Sequence, residues 1–487
     1  MLWIGLHFPQ LALDTLVPGY GNALVADLPL VVYEGPPQRP VLMALNRAAE
    51  RAGLKIGHTL AAARAVARAL TALPRAPEKE AAALMQLATW LTQFTPAVAI
   101  EPAGIALEVE SSLTLFGGIG ALVKRIREGV RRLGFQALIG IAPTPLAAQL
   151  LARASEKNPA QLMCRTRETL DARLADIALA YFAWPPRVTT TLFTLGLTHI
   201  KHLQALPRAG LTRRFESCVL RDLDRARGLL PDPRIYFVVP EKFSAQHEFV
   251  FDVTNSAELL PHAEAMLVAL EGFLRAHNKG TQQVALTLKH SRDHHTPITL
   301  AAREPARHAK HWLLLLREKF SNADLVAPVI EMSIKVDALA AFTIVNESLL
   351  AAAETGAATT SSVQILIDRV VARLGSEHVW HIACLNDHRP ERAWQASRAA
   401  EATPQNNLTR PSWLLREPRP LTTMNNIPRH HGALTLLAGP ERIDTGWWDG
   451  KPVTRDYFIA QNPQHEICWV YRDYRFGEKW YLHGFFG

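Results

Sequence analysis

The chain opens with MLWIGLHFPQ, Met1 to Gln10. From Leu2 to Leu6 the run is apolar without interruption and Pro9 closes it, the pattern of a strand buried on both faces rather than one alternating between core and water. Such a strand belongs to a sheet covered by helices, which places the chain in an α/β or α+β class. It also ends without a single carboxylate, so the acidic ligands that a metal-dependent enzyme would put there are missing.

Working outward, PLVVYEG (29–35) and VLMAL (41–45) predict strands, and the Ala- and Arg-rich stretch from Arg47 to Leu70 predicts helix broken at Gly53 and Gly57. A helix from Glu78 to Phe94 leads into the strand pair AVAIEP and GIALEV. LVKRIREGVRRLG (122–134) is an amphipathic helix with a glycine C-cap, and QALIGIAP (136–143) is another buried strand. Residues 240–340 read strand, helix, strand, strand, helix, strand, a βαββαβ unit. AAAETGAATTSS (351–362) reads as a flexible linker, after which Val363, Leu366, Ile367, Val370, Val371 and Leu374 fall on one helix face. A second linker, rich in Pro, Asn and Thr, covers about 403–428. From His431 to Gly487 the chain alternates like strands and carries Trp447, Trp448, Trp469 and Trp480, which predicts a compact β-rich unit whose GWWDG turn packs its indoles locally.

At 487 residues the chain needs three or four domains. Lys and Arg number 53 against 45 acids, a net charge of +8 that favours a polyanionic partner such as nucleic acid. Cys164, Cys218, Cys384 and Cys468 form no CxxC pair, which argues against a zinc module or a disulfide framework, and no metal or other cofactor is expected. The first apolar stretch is too short, and lacks a basic residue ahead of it, for a signal peptide or a membrane span; a soluble cytoplasmic protein is expected.

Between 186 and 235 nine Lys or Arg stand against four acids. Here LGLTHIKHLQAL, with Thr198 as the expected N-cap, has the form of a helix-hairpin-helix, which offers helix N-terminal amides to a phosphate. The alternative is an ordinary helical hairpin with a solvated basic face.

LNRAAERAGLKIGHTLAAARAV (45–66), SSLTLFGG (111–118) and IGIAPTPLAAQLLAR (139–153) resemble, in order, the finger and palm segments of the Y-family DNA polymerases. The resemblance covers roughly 1–340 and implies an α+β multidomain architecture. Its parts would be a palm over 1–165 with fingers inserted at about 10–75, a helix-hairpin-helix thumb over 166–238 and a βαββαβ little finger over 239–342. A clamp-binding segment and linker over 343–362 and a C-terminal α/β extension over 363–487 would follow.

That family performs two-metal phosphoryl transfer on carboxylates. On the alignment that the resemblance implies, the family's strand aspartates fall on Leu6 and Phe8 and its acidic pair on Ala103 and Gly104. The finger Tyr and Arg that cradle the triphosphate fall on Arg47 and Glu50, and the palm Asn-Lys pair on Thr144 and Pro145. Glu101, Glu108 and Glu110 are the acids that remain nearby. With NDHRPERAW (386–394) and LLAGPERIDTGWWDGKPVTRDYF (436–458), the chain resembles a non-catalytic branch of the family that serves bacterial SOS mutagenesis. The branch implies an adaptor near the nucleoid that binds primer-template DNA and the sliding clamp. It would recruit an error-prone replicative-type polymerase and a RecA-like protein.

Clamp-binding peptides are short extended segments with a Gln followed by an apolar plug. VNESLL supplies Asn346 in place of Gln, then Ser348, Leu349 and Leu350, leucines that would otherwise pack on the little finger. For DNA the expected contacts are Thr198, Lys201, Arg208, Arg213 and Arg214 in the thumb and Lys289 and Arg292 in the little finger. Two rival readings are an active translesion polymerase using Glu101, Glu108 or Glu110, and a plain DNA-binding regulator.

Overall fold

Met1–Gln10 forms the strand expected of it. The computed structural model describes residues 1–19, 27–102, 104–155, 163–215, 217–291, 294–321, 325–342, 357–397, 409–475 and 477–487. β1 (Trp3–His7) is followed by α1 (Leu11–Asp14), β2 (Leu30–Glu34), β3 (Val41–Leu45), α2 (Arg47–Arg51), α3 (Leu60–Val66) and β4 (Thr71–Pro74). Then come α4 (Pro77–Leu91), β5 (Val98–Glu101), β6 (Gly104–Glu108), α5 (Leu113–Phe116), α6 (Ile119–Arg132), β7 (Leu138–Ala142) and α7 (Pro145–Ala154). β1 is central in an antiparallel sheet of order β5-β6-β1-β7, while β3-β2-β4 make a separate finger-like sheet under α2 and α3. Arg75 ties that small sheet to α4, reaching Glu80 at 2.8 Å and Glu34 at 3.0 Å.

The two faces of the main sheet are covered differently. Leu2, Ile4, Leu6 and Phe8 enter an apolar core with α4 and α6. On the other face Gly5 and Gly140 sit side by side, and a Cβ on either would lie within 2.5 Å of the Ala148 backbone, so α7 rests directly on the strands.

The thumb-like helices are α8 (Leu170–Ala175), α9 (Pro186–Thr194), α10 (Ile200–Gln204), α11 (Arg208–Arg214) and α12 (Ser217–Arg227), which share a core with α7. Next come β8 (Phe243–Val253), α13 (Ser256–Ala276), β9 (Lys279–His290), β10 (His295–Ala306), α14 (Ala309–Phe320) and β11 (Val329–Val336). They form the βαββαβ unit, with sheet order β10-β9-β11-β8; β12 (Ala340–Ala341) pairs with β9. This unit does not stand apart from the palm. Trp90 of α4 is wedged between Gly129 of α6 and Gly272 of α13, where any Cβ would come within 2.3 Å of the indole. One core runs through both parts.

The helix expected over 363–374 is α15 (Ala357–Leu374). Its buried residues are not the expected apolar stripe. Asp368 and Ala372 face inward, and Asp368 accepts from the Arg303 amide at 3.3 Å and lies 3.4 Å from His311 Nε2. Arg369 adds Glu318 at 2.6 Å. Val363, Leu366 and Leu374 stay exposed because these polar contacts turn the helix on its axis. Residues to Arg373 thus belong with the first of two compact units, Met1–Arg373 and Leu374–Gly487.

The second unit begins with the hairpin β13 (His381–Cys384) and β14 (Trp394–Ser397). β15 (Trp413–Pro420), β16 (Thr422–Met424), β17 (Ile427–Arg429), β18 (Thr435–Thr445), β19 (Val453–Gln461), β20 (Ile467–Asp473) and β21 (Lys479–Phe485) follow. Five of them make an antiparallel sheet, β15-β21-β20-β19-β18, with Trp469 and Trp480 buried on it. Trp447 and Trp448 pack edge to face on each other, with centroids 5.4 Å apart, but lie outside any core, contrary to expectation: they are 77% and 56% exposed. The turn's own Asp449 is drawn under it by Arg389 at 2.8 Å, which leaves the indoles pointing to solvent.

Candidate functional site

Residues directly paired across antiparallel strands share a face. Glu101 pairs with Gly104, Gly104 with His7 and His7 with Leu138, so these four form one row on the face that carries α7. Leu6 and Phe8 point the other way, 0% and 1% exposed in the apolar core. A metal-binding carboxylate cannot sit in that core, and the β1 residue on the opposite face, the one that carries α7, is His7. Ala103 lies outside the described residues.

At the centre of the row there is no room for an acid. A Cβ on Gly104 would stand 2.5 Å from the Leu6 carbonyl oxygen and 3.0 Å from Gln149 Oε1. Gln149 comes from α7, donates to the Ile105 carbonyl at 2.8 Å and fills the space with its amide. Its buried Oε1 has no hydrogen-bond partner among the described residues.

The three nearby acids do not converge. Glu101 is held by Arg234 at 3.0 Å, and Arg234 also takes Asp232 at 2.6 Å. Burial raises the Glu101 carboxyl above its ordinary value, against the pull of Arg234. Arg153, whose guanidinium burial lowers, also acts on Glu101 and donates to the Tyr181 carbonyl. Glu108 lies at the far end of β6, four residues from Gly104 or about 13 Å. Glu110 is 3.5 Å from the N-terminal amine. Among the described residues no group of three or more His, Cys, Asp or Glu is placed to hold a metal ion. Thr144 caps α7 through the Ala147 amide and donates to the Ala226 carbonyl at 2.8 Å, while Arg47 and Glu50 are exposed on α2.

Much of the thumb's positive charge is neutralised inside the thumb. Lys201 binds Asp176 at 2.8 Å, Arg208 makes a two-pronged bond with Asp224 at 2.9 and 2.5 Å, and Arg227 does the same with Asp171. Thr198 is not the N-cap; His199 is, and it makes no side-chain cap bond. The Thr198 amide instead donates to His202 Nδ1 at 3.1 Å, and its hydroxyl lies 2.9 Å from His199 Nδ1. Arg213 and Arg214 end α11, both exposed and without an ion pair to any described residue.

In the little finger, β9 alternates buried and open residues, so Gln283, Ala285, Thr287 and Lys289 lie on the sheet face away from α13 and α14. Lys289 stands opposite Glu331 of β11 in the sheet register. Arg292 and all of Asn346, Ser348, Leu349 and Leu350 lie outside the described residues. Sequence reasoning missed Gln149, Arg234 and Asp176. Only the three-dimensional register shows that the amide and the two charges stand where they do.

Residues 21–153 match the model of the impB/mucB/samB family. The chain is 26% identical over 468 residues to Protein ImuB of Caulobacter vibrioides strain NA1000, covering 89% of this chain and all of that one; Protein ImuB of strain CB 15 matches equally. Among solved structures, DinB from Sulfolobus solfataricus is 14% identical with a TM-score of 0.38, covering 70% of this chain and all of that one. The insertion ternary complex of Dbh DNA polymerase is 16% identical with a TM-score of 0.39, covering 70% and 99%. This chain is therefore similar to Protein ImuB along most of its length, and its residues 21–153 carry the impB/mucB/samB region.

Proposed function

We propose that this chain is a non-catalytic adaptor of DNA-damage tolerance, a Y-family-like protein that holds primer-template DNA without extending it. The observation that carries the reading is the row Glu101, Gly104, His7. Its centre is a glycine closed off by Gln149 and the Leu6 carbonyl, and its one acid is paired with Arg234. Two-metal catalysis needs carboxylates that converge on one point, and these do not. Arg213, Arg214 and the open little-finger face would hold the DNA backbone without reading sequence. Asn346, Ser348, Leu349 and Leu350 would dock on the sliding clamp. The second unit would recruit a replicative-type polymerase and the RecA-like ImuA, at DNA in the bacterial cytoplasm.

The test is primer extension by the purified chain, with magnesium and then manganese, on a primed template to which binding is first measured. Binding without incorporation is expected. Incorporation would overturn the reading in favour of an active polymerase that uses Glu101, Glu108 or Glu110.

A further inference from the structure

The 14-residue helix α6 reads IGALVKRIREGVRR, five cations and one acid without an aromatic residue. Ile119, Leu122, Ile126 and Val130 enter the apolar core, so the helix is fixed on the palm and its charges are left outside. Two of the cations are engaged. Arg132 reaches Glu264 of α13 at 3.2 Å, and the Arg125 guanidinium lies 5.6 Å from the centre of the Phe116 ring. Lys124, Arg127 and Arg131 are exposed and without an ion pair to any described residue. They stand at i, i+3 and i+7, which makes one flank of the helix about 10 Å long. Gly129, which meets Trp90 of α4, and Arg132 lie on the other flank, so the stripe is turned away from the little finger.

A cation in the last turn is favoured by the helix dipole, which accounts for Arg131. It does not account for Lys124 and Arg127 in mid-helix, and Arg127 and Arg131, four residues apart, repel each other. Other surface helices of this unit answer their cations with acids, Arg275 with Glu271 at 2.7 Å and Arg369 with Glu318 at 2.6 Å. In α6 Glu128 is the only acid.

Charge, spacing and the lack of rings select the occupant. A row of uncompensated cations attracts a polyanion, and this row covers about three phosphates of one duplex strand at about 3.4 Å each. Single strands are held by stacking on aromatic side chains, which α6 does not carry, so the row suits the backbone of a duplex. Beside the cations the flank carries Gly120 and Glu128, neither of them the apolar anchor that a protein partner uses. Position separates this contact from the one at the thumb. α6 covers the sheet face that holds Leu6 and Phe8, whereas α7, in one core with the thumb helices, covers the face of Glu101, Gly104 and His7. A duplex on α6 and a duplex along the thumb have the palm sheet between them.

We infer that Lys124, Arg127 and Arg131 hold the backbone of a second duplex DNA segment, so that one chain bridges two duplexes. The inference goes beyond the adaptor reading and rests on it for the first segment.

The experiment immobilises one blunt duplex, loads it with the monomeric fraction of the full chain and measures capture of a second, labelled duplex. Wild type should capture it, and capture should fall about 40-fold between about 50 and 200 mM salt, as three phosphate contacts require. K124S/R127S/R131S should capture at least about tenfold less, with loading on the first duplex within about twofold of wild type and the melting temperature unchanged. K124R/R127K/R131K keeps three point charges and should capture like wild type. R213S/R214S should lose capture as well, because a bridge needs both contacts. No capture by a loaded wild-type chain, undiminished capture by the serine variant, or stronger competition by poly-glutamate or a single strand than by duplex would overturn the inference and leave the adaptor reading standing. A wild-type chain that does not load on the first duplex would overturn both.

Discussion

Restoring an acid at the centre of the palm row should damage the fold rather than revive an enzyme. Consider Gly104→Glu. The new Cβ meets the Leu6 carbonyl oxygen at 2.5 Å, and that oxygen cannot retreat because Leu6 is paired on one side with Ile105 and on the other with Ile139. Overpacking of this kind costs about 1–3 kcal/mol. The carboxylate then faces Gln149 Oε1, an acceptor, and a buried acceptor left unpaired adds about 1–3 kcal/mol. The sum, about 2–6 kcal/mol, is a large part of the roughly 5–15 kcal/mol that holds a domain together. Urea unfolding followed by tryptophan fluorescence should show the midpoint falling accordingly, with Gly104→Ala isolating the first contribution at about 1–3 kcal/mol. Combining Gly104→Glu with His7→Asp should yield no primer extension. A Gly104→Glu chain within about 0.5 kcal/mol of wild type would refute the steric argument, and manganese-dependent extension by the double variant would refute the whole account of the palm.

Replacing Arg213 and Arg214 with Ser should weaken DNA binding for all sequences and flatten the dependence of log affinity on log salt by about two, whereas Lys201→Ala should change that slope little; titrations at several salt concentrations decide it. Replacing Leu349 and Leu350 with Ala should abolish clamp pull-down while DNA binding stays intact, and retained clamp binding would remove the assignment of 346–350. Burial pushes the Asp14 carboxyl up to about 7, against the hydrogen bond it accepts from the Gln136 amide. The folded chain therefore holds that proton more tightly than the unfolded chain, and the stability it confers is complete below about pH 4 and lost as pH rises toward 7. Asp14→Asn should thus match wild type near pH 4 and exceed it by about 2–4 kcal/mol at pH 8, and a difference that does not vary with pH would contradict this.

Local periodicity made much of the architecture legible. The apolar run at Leu2–Leu6, the amphipathic helix ending at Gly134 and the alternation of the βαββαβ unit all state their own partners' chemistry. What was not legible depends on residues far apart in sequence. The notch for Trp90 is made by Gly129 and Gly272, which no local pattern links to it. Part of the thumb's charge looked free because Asp171 and Asp176, which neutralise Arg227 and Lys201, precede the basic stretch. The indoles of GWWDG were expected inside because tryptophans usually pack; Arg389, some sixty residues earlier, claims the aspartate of the turn and reverses them. That Leu6, Phe8 and Gly104 are not acids is plain from the sequence, but only strand register shows that His7, and not Leu6, shares the sheet face with α7.

The seating of α15 has a mechanical consequence. β12 and α15 are both fastened to the little finger, one by strand pairing with β9 and the other by Asp368 and Arg369, so a pull on either is borne by that one body. A clamp docked at 346–350, as proposed, would hang from that one body rather than from two.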